Sequence, residues 1–171
     1  MEPWVECMEE YRRQMTLGLV PKAYQGLMQY LLSLKTHLKD RHPDFFVSGT
    51  LYFGYMDMTY FSFYPPALGQ KKLKVAIVFV HPTMRFEAWL AGYNKQVQLH
   101  YWQRFRDGGW NLYPLVPALQ GSDAIVEHVL VEQPNFGDLP ALTGQVERGT
   151  LKFIADLEQF LGGAEPGEGT R

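Results

Sequence analysis

The sequence has a single cysteine, Cys7, in 171 residues, which excludes an intramolecular disulfide framework and a cysteine-rich zinc module. It has no apolar run near the roughly 18 residues that a membrane-spanning helix requires. The first six residues, Met-Glu-Pro-Trp-Val-Glu, lack the basic and apolar regions of a secretory signal. These absences favour a soluble, cytoplasmic protein with no membrane partner.

Signatures of the common enzyme classes are also missing. The chain contains no P-loop, no G-x-G-x-x-G, no H-E-x-x-H and no G-x-S-x-G sequence. Its five histidines never occur three or four residues apart, so no helix presents a histidine pair to zinc. The sequence therefore favours a binding or accessory domain over an enzyme, with no assigned cofactor.

The composition is that of a folded protein. Hydrophobic residues make up 46%, aromatic residues 15% and charged residues 20% of the chain, which argues against disorder. The length fits one domain, which we place at residues 1–161. Residues 162–171 are rich in Gly and Glu and are predicted to form a disordered tail.

Charge is distributed unevenly along the chain, although the net charge is only −2. Residues 11–106 carry 13 Lys and Arg against four acids, whereas residues 1–10 and 107–171 carry three against 14. A basic middle segment can bind nucleic acid if its cations gather on one face. The alternative is that the acidic flanks neutralise it internally. The cations that would form such a face are Lys35, Lys39, Arg41, Lys71, Lys72 and Lys74.

Two amphipathic helices open the chain. Apolar residues recur at helical spacing from Trp4 to Met15, and a wider apolar stripe runs from Tyr24 to Leu38. Gly18 separates the two helices, and Pro43 ends the second because the residue before proline is pushed out of the helical region.

The middle of the chain has the character of β-strands. We predict strands at residues 51–55, 58–64, 73–80 and 84–91, with a loop at residues 65–69. The first two are either separate strands or one long strand bent near Gly54. The strand at 73–80 is apolar on both faces and is therefore expected to be central. Short connections between these strands favour antiparallel pairing.

The last third alternates between helix and strand signals. A helix is predicted from Asn94, as N-cap, to about Phe105, and an edge strand at residues 110–116. Residues 122–132 fit a helix or a strand equally well, and a final helix starts near Asp138. The fold class is therefore α+β: a mainly antiparallel sheet of four or five strands with helices packed on it, in the order α-α-β-β-β-β-α-β-(β)-α.

The junction between strand 84–91 and helix 94–105 is the first candidate site. A strand that runs into a helix N-terminus commonly brings polar groups together. Trp89 or Tyr93 would stack on a planar group while a cation, Arg85 or Lys95, meets an anion. The alternative is that Arg85 and Glu87 form a cross-strand charge network and the aromatic rings are core. The predicted ligand-binding residues are Arg85, Trp89, Tyr93, Asn94 and Gln96.

Two carboxylates suggest a second candidate site. Asp57 lies in an apolar and aromatic run, so it must be exposed, bonded to a turn amide or paired with a cation. Asp57 and Glu87 would bind Mg²⁺ if their strands are neighbours. With Lys95 they form the predicted catalytic set of a Mg²⁺-dependent phosphodiester hydrolase.

Three segments carry a resemblance to a protein family. They are Tyr24-Gln-Gly-Leu-Met-Gln-Tyr, Gly54-Tyr-Met-Asp-Met-Thr-Tyr-Phe-Ser-Phe and Phe86-Glu-Ala-Trp-Leu-Ala-Gly-Tyr-Asn-Lys-Gln. From about Lys22 to Phe160 the chain resembles an uncharacterised bacterial family of domains of unknown function. The resemblance implies no activity.

A weaker likeness is to the restriction-endonuclease-like core, whose elements run α-β-β-β-α-β. Such nucleases use an aspartate and then an Asp/Glu-x-Lys sequence on the next strand. Here Asp57 and Glu87 follow that order, but Trp89 stands where the lysine belongs, and Lys95 would have to replace it from the helix.

These observations favour a binding or accessory domain with an aromatic and charged pocket, whose partner is a small molecule or a protein. A metal-dependent nuclease, active or inactive, is one alternative. A homodimer that uses exposed aromatic residues as its interface is the other.

Overall fold

The computed structural model describes residues 3–163, so most of the predicted tail (164–171) lies outside the described residues. Residues through His37 form one compact unit and residues from Leu38 onward form another. The prediction of a single domain over residues 1–161 stays a prediction.

The first unit is helical. Helix α1 spans Trp4–Leu17 and ends at Gly18, which takes a left-handed φ of 78° that few other residues adopt easily. Helix α2 spans Leu19–Arg41 and continues into the second unit. The prediction that two helices open the chain is therefore confirmed. The 14 residues of α1, all of them described, include none that is buried, and Trp4 is 76% exposed.

The second unit contains a five-stranded sheet within the described chain. Its strands lie in sequence order, and every neighbouring pair is antiparallel. The α+β class and the element order are therefore confirmed. The strands are β1 (Phe46–Val47), β2 (Met58–Tyr64), β3 (Leu73–Val80), β4 (Arg85–Gly92) and β5 (Val126–Val131), and the remaining helices are α3 (Pro66–Gln70), α4 (Lys95–Asp107) and α5 (Leu139–Leu161).

Two predicted strands are wrong. Residues 51–55 form only a bridge between Tyr52 and Tyr60, because Gly54 and Met56 both take positive φ angles that bend the chain. Residues 110–116 form only a bridge between Leu115 and Val126. Pro114 and Pro117 lack the N–H groups that a longer ladder needs.

Three smaller predictions are refined. Residues 122–132 contain a strand, β5, rather than a helix. Strand β4 starts at Arg85 and not at 84, because Met84 has a φ of 53° and belongs to the turn. The predicted loop at residues 65–69 contains the short helix α3, which Pro66 opens at its first position.

The two faces of the sheet differ in chemistry. On the face that we call the core face, β3 and β4 present buried apolar side chains, and α5 packs against β4 and β5. We call the opposite one the open face. The strand pairing places on it Tyr60, Ser62, Lys74, Ala76, Glu87, Trp89, Ala91 and Glu127. Central strand β3 has buried residues on both faces, as predicted. None of the described helices is both long and apolar enough to cross a membrane.

Candidate functional site

A cleft of about 860 Å³ lies on the open face, lined entirely by residues of the second unit. Three strands supply its floor, the start of α4 one wall, and a loop at residues 119–123 another. Its volume falls within the range of about 300–1,000 Å³ that is typical of small-molecule sites.

The cleft exists because the floor residues are small. Ala76 of β3 and Ala91 of β4 lie in the middle of the open face and are only 7% and 8% exposed. Trp89 pairs directly with Ala76, and Tyr60 lies on the far side of β3. The floor therefore consists of alanine methyl groups, and the larger side chains of Trp89 and Tyr60 project on either side of it.

Trp89 is held in place by a buried carboxylate. Its indole N–H donates to Glu87 Oε2 at 2.6 Å, and the other oxygen of Glu87 accepts from Arg85 Nε at 2.6 Å. Arg85 also donates to Glu132 at 3.2 Å. Glu87 is only 4% exposed, and its hydrogen bond raises the pKa of Arg85. Arg85 and Glu87 thus orient Trp89 but do not line the cleft.

The opposite wall of the cleft is aromatic. The rings of Tyr52 and Tyr60 stack with centroids 4.9 Å apart and planes 29° apart. Burial, Tyr52 and the Asp123 carboxylate raise the pKa of Tyr60, which shows that Asp123 lies near this wall. Met58 completes the aromatic end of the cleft.

The junction between β4 and α4 fixes the third side. Asn94 accepts a hydrogen bond from the Val97 amide at 2.9 Å and thereby caps α4, as the sequence predicts for this position. The Gly92 amide donates to the side-chain oxygen of Gln98 at 2.6 Å. A Cβ on Gly92 would lie only 2.7 Å from the backbone nitrogen of Gln98. The glycine lets α4 start directly against the cleft, which places Lys95 on its rim.

Three of the predicted ligand-binding residues, Arg85, Tyr93 and Gln96, lie outside the cleft lining. Tyr93 is turned to Tyr64, and their hydroxyl groups are 2.6 Å apart. Gln96 is exposed on the first turn of α4. Of the predicted set, the structure brings together Trp89 and Asn94, with Lys95 beside them.

Two lysines lie at one end of the cleft, and two others are close to them along the chain. Lys74 and Lys95 line the cleft, while Lys71 and Lys72 come just before β3. The Lys72 carbonyl accepts from the Tyr93 amide at 3.0 Å, so the two chain segments adjoin. Within residues 3–163 none of the four forms an ion pair. Of the predicted basic face, Lys74 therefore lines the cleft, and Lys71 and Lys72 precede it in the chain.

The outer wall, residues 119–123, belongs to a long loop between α4 and β5. The Trp102 indole donates to the Val116 carbonyl at 2.8 Å, and the Tyr113 hydroxyl donates to Asp156 of α5 at 2.5 Å. These bonds anchor the loop ahead of its turn at Gly121, where φ is 75°.

The predicted magnesium pair is not brought together on neighbouring strands. Asp57 lies in the turn before β2, and β3 separates β2 from β4, which carries Glu87. The Asp57 carboxylate accepts from the Tyr55 amide at 2.8 Å, which lowers its pKa. Among the described residues no group of three or more His, Cys, Asp or Glu is placed to hold a metal ion.

Sequence reasoning missed most of the cleft. Lys74 is predicted only as one cation of a basic face, and Ala76 is predicted only as part of an apolar strand. Their polar and small side chains at alternate positions are the only local signal of the cleft floor. Tyr60 was assigned to a strand without a role. The loop at 119–123 left no signal, since only the fold brings it to the open face.

A family model described as a domain of unknown function, DUF7000, matches residues 5–161. This finding confirms the resemblance seen in the sequence. No curated protein and no solved structure matches the chain.

Proposed function

The chain belongs to the DUF7000 family of domains of unknown function, and from this premise we propose that it is a ligand-binding domain whose cleft takes a small organic molecule. The observation that carries the proposal is Trp89. Its ring is half-buried, lines the cleft and is oriented by a buried carboxylate. A large aromatic surface that is fixed before binding loses little conformational freedom when a ligand stacks on it.

The surroundings favour binding over catalysis. Both oxygens of Glu87 accept hydrogen bonds from neighbouring side chains, so this carboxylate acts as a support for Trp89. The Asp57 carboxylate stabilises its own turn. The polar groups at the cleft that remain are lysines, side-chain amides, hydroxyl groups and Asp123, which suit recognition of a ligand.

The test is a thermal-shift screen of small metabolites, repeated on two variants. Trp89→Ala removes the proposed stacking surface. Tyr55→Ala removes an aromatic ring that is 92% exposed and outside the cleft lining, and it serves as the matched control. We expect ligands that raise the melting temperature of the wild type and of Tyr55→Ala but not of Trp89→Ala. Stabilisation that survives in Trp89→Ala, or no stabilising compound at all, would contradict the proposal.

The nuclease alternative, with Asp57, Glu87 and Lys95 as its catalytic set, stays a prediction without a specific supporting contact. Incubation with single- and double-stranded DNA and Mg²⁺ tests it directly. On the binding proposal no cleavage is expected. Cleavage that Asp57→Asn abolishes would replace the binding proposal with the nuclease.

A homodimer is favoured by a different observation. Trp4, Met8, Tyr11 and Met15 of α1 are all exposed and follow the alternating four- and three-residue spacing of a coiled-coil seam. If α1 pairs with a second copy, sedimentation velocity will show a dimer that the double variant Met8→Glu, Tyr11→Glu converts to a monomer. A wild type that is monomeric at all concentrations would rule this interface out.

A further inference from the structure

The cleft has two chemically different ends. Lys74 and Lys95 line one end, and Lys71 and Lys72 stand beside them without an ion-pair partner among the described residues. Tyr52, Tyr60 and Trp89 line the rest, and Asp123 is the single acidic residue in the lining. A ligand that satisfies both ends must carry negative charge at one end and a flat apolar group at the other.

The number of lysines indicates how much negative charge the ligand carries. A carboxylate would neutralise only one of the two lysines that line the cleft. A phosphate monoester carries about −1.5 to −2 charges at neutral pH and offers three acceptor oxygens. Lysine binds phosphate as a compact point charge with three donors. The lining pair therefore matches a terminal phosphate better than a single carboxylate.

The aromatic end indicates the shape and polarity of the remainder. Tyr and Trp rings bind flat groups by stacking, and every nucleobase has such a face. Asp123, which lies near Tyr60, can only accept hydrogen bonds when ionised. A planar ring whose edge bears N–H donors would hydrogen-bond to this exposed carboxylate, whereas a plain hydrocarbon ring would leave it bonded only to water.

We infer that the ligand is a phosphate monoester of a planar nitrogen heterocycle, that is, a mononucleotide-like molecule, with its phosphate at Lys74 and Lys95 and its ring between Tyr60 and Trp89. This inference rests on the proposed function, since it names the ligand class of the same cleft. The floor of Ala76 and Ala91 leaves the room that the ring needs.

The experiment is calorimetric titration of the full chain with adenosine monophosphate, adenosine and ribose 5-phosphate. We expect the monophosphate to bind at least about tenfold more tightly than either part. Lys74→Gln and Lys95→Gln should each weaken the monophosphate about tenfold, the effect of losing one charge-assisted contact, and leave adenosine unchanged. Lys39→Gln, an exposed lysine of the same unit outside the cleft lining, is the matched control and should change neither.

A second variant fills the cleft without touching its charges. Ala76→Phe places a ring on the floor of the open face and should abolish binding of the monophosphate and of adenosine alike. Circular dichroism and urea unfolding of this variant report whether it still folds, and Ala91→Leu offers the same test at a neighbouring position. Binding that persists in a folded filled-cleft variant would overturn the inference.

The outcomes separate this inference from the proposed function. If neutral aromatic compounds bind in a Trp89-dependent way and the monophosphate does not, the ligand class is wrong and the binding function stands. If nothing binds in a Trp89-dependent way, both fail. Tighter binding of a single-stranded oligonucleotide than of the monophosphate, with dependence on Lys71 and Lys72, would make the ligand a nucleic acid strand and overturn the mononucleotide.

Discussion

On the core face of the sheet, β3 presents Ile77 and Phe79, both fully buried, whereas on the open face the same strand presents Lys74 and Ala76 to the cleft. Strand β4 repeats the contrast, with Phe86 on the core face and Trp89 on the open face. The two sets alternate along the same backbone because side chains of a strand point to opposite faces in turn.

This contrast indicates that one face of the sheet stabilises the fold and the other forms the candidate binding site. The core face is apolar and stabilises the fold by burial, which scales with the apolar area removed from water. The open face carries a buried carboxylate, Glu87, and at its cleft lie two lysines and three aromatic rings. If this division holds, substitutions on the core face have the larger effect on stability, and substitutions in the cleft lining have the larger effect on binding.

The largest expected effect is on the core face. Phe79→Ala removes a fully buried ring that meets Phe86 edge-on with centroids 5.1 Å apart, and should lower the free energy of unfolding by about 3–5 kcal/mol. Trp89→Ala on the open face should lower it by only about 1–2 kcal/mol. Urea unfolding followed by circular dichroism measures both. Equal losses would show that Trp89 belongs to the core.

The next effect is at the support of Trp89. Glu87→Gln turns one of the two acceptors into an N–H₂ group facing a donor, and should cost about 1–3 kcal/mol. Glu132→Gln is the control. Glu132 is the other ion-pair partner of Arg85, and its side chain is 65% exposed. Removing its charge should cost less than about 1 kcal/mol. A similar cost in both variants would mean that Glu87 is an ordinary surface ion-pair partner.

A smaller effect is expected where the loop joins the two faces. The Tyr113 hydroxyl reaches Asp156 of α5, and burial together with this carboxylate raises the pKa of Tyr113 to about 12. Tyr113→Phe keeps the ring and removes the hydrogen bond, so it should cost about 0.5–1.5 kcal/mol. Tyr55→Phe, on an exposed ring, should cost nothing measurable in the same urea titration. If the two variants unfold at the same midpoint, the bond does not anchor the loop.

The smallest effects are in pH dependence, at neighbouring residues of β5 that point to opposite faces. Burial and the nearby Glu87 raise the pKa of Glu127 on the open face. Burial lowers the pKa of His128 on the core face, against the opposing attraction of Asp156. Compared with the unfolded chain, the folded protein therefore favours the neutral form of both side chains.

The signs of the two contributions are opposite. The folded chain holds the Glu127 proton more tightly than the unfolded chain, so stability falls as pH rises above about 4.3 through the raised pKa. The folded chain binds the His128 proton less tightly, so stability falls as pH drops below about 6.5. Urea unfolding from pH 4 to 8 should show Glu127→Gln removing the first slope and His128→Gln the second. Unchanged slopes in the two variants would show that neither burial shifts a proton equilibrium.

Much of the fold was predictable because its signals are local. The apolar spacing of α1 and α2, the alternation of β4 and the cap of α4 at Asn94 each depend on a few neighbouring residues. The two wrong strands, at residues 51–55 and 110–116, have strand-like composition. Positive φ angles in the first and two prolines in the second prevent continuous pairing.

The candidate site was predictable only in part. The junction of β4 and α4 was found because Trp89, Asn94 and Lys95 are close in sequence. Tyr60 and the loop at residues 119–123 come to the same cleft from distant parts of the chain. No sequence pattern predicts that these residues line one cleft, because their proximity depends on strand order and on how the loop is anchored.

The sequence by itself determined the four long helices, the central strands, the antiparallel class and the family, since hydrophobic periodicity and short connections act over a few residues. Only the tertiary structure decided that Glu87 supports Trp89 and is separated from Asp57 by a strand, that Tyr93 pairs with Tyr64, and that Lys74 and Lys95 meet at one end of a cleft. The physical reason is that these contacts are set by which strands are neighbours and which face each residue occupies, and both depend on the packing of the whole sheet.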